Sequence, residues 1–194
     1  MSWRRPVPLF SATIGLLVFS VSLNALQTRR ILALVSTNAV TPTTIGRTAG
    51  PLVGFSLSGV PREVTLRSDR PTLVYYFDPA CTYCQRNWPN LEALAAAAPG
   101  RYRVIATSAK RDLRRYLTGR QLSLDVVEGL SVATWTSFGF SGTPHTIVVS
   151  PEGMVTHDWR GAFTPRVQRQ LEDLFGVDLP GMAPPSVEAP TPEQ

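Results

Sequence analysis

Only 2 cysteines, 2 histidines and a single lysine occur in the 194 residues of this chain. Two cysteines cannot staple a disulfide-dense mini-protein, and they cannot supply a four-cysteine zinc or iron–sulfur site within one chain. Charged residues make up 17% of the sequence. Mean hydropathy is nevertheless close to zero, which is too apolar for a disordered polymer. The net charge of +5 comes from 18 arginines, that one lysine and 14 acidic residues, and the ratio of 18 arginines to one lysine reads as compositional bias more than as a binding design.

The apolar residues are unevenly spread. From Pro6 to Thr28 there are 23 residues without a charge, bounded by Arg4-Arg5 and Arg29-Arg30. As a helix this run is about 34 Å long, enough to cross a hydrocarbon core of about 30 Å. A retained single-span anchor over 6–28 is the favoured reading. A cleaved signal peptide and a soluble core helix are the alternatives; Leu23 and Ala25 match a cleavage site poorly, and the run is long for a signal sequence. The arginine pairs nearly cancel the positive-inside bias. Length asymmetry therefore decides the expected topology: residues 1–5 as a cytoplasmic head, 29–44 as a linker, and the body outside the cytoplasmic membrane, where disulfides persist. The last stretch, 177–194, carries five prolines and reads as an extended, disordered tail.

The body, 45–176, alternates strand and helix signals. Thr72 to Phe77 is a continuous β-branched and aromatic run, and Tyr102 to Thr107 is a second. Between them Cys84 to Ala98 reads as a helix ended by Pro99-Gly100. A short basic helix over Lys110 to Gly119 and a strand over Leu124 to Val127 follow. Thr146 to Ser150 and Met154 to Trp159 form a hairpin around Pro151-Glu152-Gly153. A last helix, Thr164 to Phe175, places Val167, Leu171, Leu174 and Phe175 on one face. This is an α/β pattern, a mixed β-sheet flanked by helices.

Both cysteines lie in Cys81-Thr82-Tyr83-Cys84, after a buried strand and at a helix start. Unpaired N–H groups and the positive dipole end of a helix stabilise a thiolate there, so Cys81 is the expected nucleophile. Cys84, one turn further in, resolves a mixed disulfide and cycles the pair between dithiol and disulfide. Two other readings compete. A metal site would recruit His145 and His157, but eleven residues separate them, unlike a finger. A structural disulfide would close too small a loop to stabilise much. Gly142-Thr143-Pro144-His145 is the second feature; by itself a proline heading a strand is an edge or loop residue. His145 reads as a loop residue or as a neighbour of the cysteines. The basic run Lys110, Arg111, Arg114, Arg115 and Arg120 reads as a solvated face, as a contact with anionic lipid or an acidic partner, or as a nucleic-acid patch, and the anchor argues against the last.

Strand, C-x-x-C, helix, and a Gly-Thr-Pro entering a hairpin together resemble the thioredoxin superfamily, and within it the membrane-anchored thiol–disulfide oxidoreductases of the TlpA/ResA type. The resemblance spans about Thr44 to Gly176. It implies a thioredoxin-like fold with an N-terminal transmembrane helix, and a cis Pro144 facing Cys81 and Cys84. It also implies that Thr143 offers backbone hydrogen bonds to a bound peptide and that Pro89 kinks the active-site helix. Gly54 to Leu66 resembles the family's N-terminal hairpin, and Lys110 to Val127 its helix–strand insertion. Where thioredoxins carry a buried Asp this chain has Tyr75; where the TlpA/ResA type often has a Glu it has Asn87; and Ala80 replaces the usual aromatic. Asp78 serves either as the substitute proton acceptor or as a turn-shaping residue with Pro79. Phe77 to Cys84 and Thr143 are also similar to disulfide isomerases of the DsbC/DsbG type, which leaves the direction of electron flow open.

The expected function is thus disulfide exchange through Cys81 and Cys84, with no cofactor and no metal. Its partners would be disulfide-containing or dithiol client proteins, a membrane or periplasmic redox partner, and lipid around the N-terminal helix. The expected location is the bacterial inner membrane, single-pass, with the domain facing the periplasm or outside. The alternatives are a non-catalytic, membrane-tethered peptide-binding module and a metal-binding protein.

Overall fold

A computed structural model of the protein describes residues 19–28, 44–118 and 124–184. The chain divides into two compact units, Met1–Thr41 and Pro42–Gln194. In the first unit, 19–28 form a helix, α1, in which the Thr28 hydroxyl donates to the Asn24 carbonyl at 2.8 Å. Among the described residues no helix is long and apolar enough to cross a membrane. The expected head (1–5), most of the expected anchor (6–18), most of the linker (29–43) and Arg120 lie outside the described residues.

In the second unit, a two-stranded antiparallel hairpin pairs β1 (Leu52–Phe55) with β2 (Pro61–Val64). The main sheet contains β3 (Thr72–Tyr76), β4 (Arg103–Thr107), β5 (Asp125–Val127), β6 (His145–Val149) and β7 (Val155–Arg160), in the order β5-β4-β3-β6-β7. β3 is parallel to β4 and β4 to β5, whereas β6 is antiparallel to both β3 and β7. The helices are α2 (Thr82–Arg86), α3 (Trp88–Ala97), α4 (Leu113–Leu117), α5 (Val132–Ser137) and α6 (Pro165–Phe175).

Every residue of β3 is buried, as expected for a central strand covered on both faces. Its side chains alternate: Leu73, Tyr75 and, just beyond the strand, Phe77 enter one core with Cys84, Trp88 and Leu91, while Val74 and Tyr76 enter the other with Phe138, Phe140 and Ile147. The helix expected over Cys84 to Ala98 is two helices. The Asn87 amide donates to Tyr83 O at 3.0 Å to end α2, and Pro89 occupies the first turn of α3, where a missing N–H costs nothing.

Other expectations need correcting. Leu174 is 43% exposed, so the buried face of α6 is Leu171 and Phe175. The chain after Val177 is no free tail as far as residue 184. Leu179 is buried in the first core, its amide donates to Glu172 Oε1 at 3.0 Å, and its carbonyl accepts from Gln168 Nε2 at 2.7 Å. Gly181 N reaches Asn90 Oδ1 at 2.8 Å, and Ala183 exchanges two hydrogen bonds with Arg86. One leucine with a run of satisfied backbone groups holds down a segment whose proline content alone argues for disorder. Residues 185–194 lie outside the described residues.

Candidate active site

β3 delivers the chain to the C-terminal edge of the sheet, where Phe77 N still pairs with Thr107 O at 2.9 Å. The turn that follows is built by Asp78. Its Oδ1 accepts the Ala80 amide at 2.8 Å and its carbonyl accepts the Cys81 amide at 3.0 Å. The Asp78 carboxylate therefore shapes the turn, and Asp78 meets Cys84 through its backbone. Gln85 Nε2 closes the loop from the other side, donating to Pro79 O at 2.9 Å.

Cys81 is the N-cap of α2. Its sulfur accepts the Cys84 amide at 3.2 Å, as an oxygen would in a serine cap, and its thiol lies 3.5 Å from the Thr143 carbonyl. The Thr143–Pro144 peptide bond is cis, and Pro144 is buried. Strand β6 begins immediately after it, so the sheet brings Thr143 and Cys81 together although 62 residues separate them. Both thiols are free; Cys81 is partly exposed, whereas Cys84 is fully buried. Burial, reinforced by the hydrogen bond to Cys81, pushes the Cys84 thiol up to about 12.

The aromatic floor consists of Trp88, Phe77 and Tyr116, with ring centroids 5.5 to 5.8 Å apart. Tyr75 and Asn87 also meet here: Asn87 Nδ2 donates to Tyr75 Oη at 3.3 Å, and Asn87 Oδ1 accepts from Asn90 Nδ2 at 3.0 Å. The two positions where the resemblance would put carboxylates thus hold one neutral hydrogen-bonded pair. Burial drives the Tyr75 hydroxyl well above its ordinary value, and the charge of a Cys84 thiolate would push it the same way.

His145 is neither a loop residue nor a neighbour of the cysteines. It opens β6, 1% exposed, with its ring edge-on to Phe140 in the second core, across the sheet from Cys84. Its Nε2 lies 2.7 Å from Asp158 Oδ1. Burial would raise the Asp158 carboxyl, but the bonds from His145 and from the Thr44 amide and hydroxyl outweigh it and hold it well below the usual carboxylate range. His157 lies on β7 and bonds to Thr156 Oγ1. The two histidines therefore do not converge on the cysteines, and the described residues contain no group of three or more His, Cys, Asp or Glu able to hold a metal. Sequence reasoning missed Asn90, Glu128 and the His145–Asp158 pair. A polar residue within an apolar strand or helix is the only signal they carry.

No protein-family profile matches the chain. The methylamine utilization protein MauD of Methylorubrum extorquens is 25% identical over 114 residues, covering 59% of this chain and 53% of that protein. The MauD of Paracoccus versutus is 25% identical over 116 residues, covering 60% and 56%. The chain thus matches these curated relatives over about half their length. Among solved structures, the thioredoxin domain of a thiol–disulfide oxidoreductase from Bacteroides vulgatus superposes with a TM-score of 0.57 at 19% identity, covering 69% of this chain and 99% of that one. A putative thiol:disulfide interchange protein DsbE from Chlorobium tepidum gives 0.59 at 18% identity, covering 68% and 95%. The domain has the thioredoxin fold.

Proposed function

We propose that this protein is a thiol–disulfide oxidoreductase, held at the bacterial cytoplasmic membrane by its N-terminal segment and exchanging disulfides with proteins on the outer side. The observation that carries the redox reading is the asymmetry of the two thiols. One is a partly exposed helix cap, its sulfur already accepting a backbone N–H, and the other is buried directly behind it. The Cys81 thiolate attacks a client disulfide and expels one client sulfur as thiolate, leaving a Cys81–client disulfide. Cys84 then loses its proton and attacks Cys81 Sγ. The second client sulfur leaves, and Cys81 and Cys84 end as a disulfide with two electrons passed to the client. A dithiol donor restores the pair, and the same steps in reverse oxidise a client. Thr143, whose carbonyl borders Cys81, and cis Pro144 form the rim against which an extended client strand would lie.

The anchor reading rests on the 23 uncharged residues of Pro6 to Thr28 and on the helical state of 19–28. In the full-length protein, Cys84→Ser should accumulate mixed disulfides with clients, and Cys81→Ser should abolish both trapping and turnover. Turnover retained by Cys81→Ser would defeat the reading. Equilibration with glutathione buffers gives the direction: a potential below about −250 mV marks a reductant, one near −120 to −180 mV an oxidase or isomerase. Extraction of the full-length chain from membranes by high salt alone would defeat the anchor.

A further inference from the structure

A surface cleft of about 570 Å³ opens against the residues that immediately precede Cys81. One wall is the turn Asp78-Pro79-Ala80 that leads directly into the nucleophile, and the other is the segment carrying Lys110, Arg115 and Tyr116. This second wall is built, not merely solvated. Helix α4 is five residues long, too short to persist alone, and its start is held by the Leu113 amide donating at 2.8 Å to Oε2 of the buried Glu128. Gly129 N binds the Lys110 carbonyl at 2.8 Å, and Lys110 N binds Ser108 Oγ at 3.1 Å. Asp112 is held left-handed at φ 61 with no side-chain cap bond to compensate, so the surroundings impose this backbone.

The cations of this wall divide into two sets. Arg111 lies 3.7 Å above the Phe55 ring, and Arg114 donates twice to the Leu57 carbonyl. Lys110 and Arg115 have no side-chain partner among the described residues. The cleft also carries two carboxylates, Asp112 on this same wall and Asp78 on the other, and the latter already caps Ala80. Two positive side chains with no partner among the described residues therefore line the same cleft as the turn that leads into Cys81.

We propose that this cleft docks acidic client segments: the preferred substrates are polypeptides bearing Asp or Glu next to the disulfide that Cys81 attacks. The inference rests on the redox reading and adds the substrate class to it. Rim cations act mainly on encounter and partner choice, so the selectivity appears in the rate of mixed-disulfide formation and weakens with salt.

The test uses the full-length Cys84→Ser protein and three peptides activated as mixed disulfides with thionitrobenzoate, identical except for Glu, Gln or Lys flanking the cysteine. The Cys81 thiolate forms a disulfide with the peptide sulfur and releases thionitrobenzoate, so each event is read by absorbance whichever way the enzyme runs in the cell. At low salt the Glu peptide should react about tenfold faster than the Gln peptide and the Lys peptide slower still, with the ratios contracting toward one at about 0.5 M salt. Adding Lys110→Glu and Arg115→Glu should reverse the order. Equal rates for the three peptides, or an order that survives the charge reversal, would overturn the docking site while leaving the redox reading intact. No release from any peptide would defeat the redox reading and the docking site together.

Discussion

Tyr75 and Asn87 occupy the ground beneath Cys84 with a hydroxyl and an amide bonded to each other. A carboxylate there would offer a base for the Cys84 proton; a neutral pair does not, and the fully buried thiol holds its proton. This has a consequence for stability. The unfolded chain releases the Cys84 proton near pH 9, whereas the folded dithiol keeps it to about pH 12. Between those values the unfolded state binds fewer protons than the folded one, so this contribution is intact below pH 9 and is lost progressively as pH rises toward 12. Urea midpoints of the reduced protein should therefore fall across that window, and Cys84→Ala should remove that part of the slope. An identical slope in the variant would assign the alkaline loss to other groups. The Asp78 turn is of the same kind, a single side chain fixing the loop that leads into Cys81.

Elements of low intrinsic propensity are held in place by partners distant in sequence. Helix α5 has six residues, three of them β-branched (Val132, Thr134 and Thr136), and its pattern predicts no helix. It forms because Ser131 Oγ caps the Thr134 amide, Ser131 N donates to Val53 O, and Trp135 Nε1 donates to Tyr76 Oη. Helix α4 depends in the same way on Glu128, which ends up buried beside it after β5. Glu128→Ala should leave the Leu113 amide unsatisfied and cost about 1–3 kcal/mol, read from denaturant unfolding. Amide hydrogen exchange over 108–118 should rise more than over β3 in that variant. Uniform exchange across the domain would show that α4 does not rely on this carboxylate. By contrast, β3, β4 and α6 announce themselves, because their signals are local: a β-branched run, or a 3.6-residue period bounded by Thr164 and Gly176.

For the domain as a whole, the segment 177–184 acts as a strap from α6 back to α2 and α3. Through Gly181, Asn90 and Asn87 it reaches the hydroxyl of Tyr75. Leu179 is its apolar contact with the core, and Leu179→Ala should destabilise the domain by about 2–4 kcal/mol, measured by urea denaturation. An unchanged midpoint would show the strap to be incidental. The α/β alternation, the place of the C-x-x-C pair at a helix start and the entry of Thr143-Pro144 into a strand were all legible in the sequence, because each is a pattern among near neighbours. The resemblance also set Thr143-Pro144 against Cys81, but the pairing of Tyr75 with Asn87, the burial of His145 against Asp158 and the seating of Leu179 were not legible. Each joins residues whose closeness depends on the order β5-β4-β3-β6-β7 and on a break in one helix at Asn87, and a chain pattern records which residues are apolar, not which distant ones they will meet.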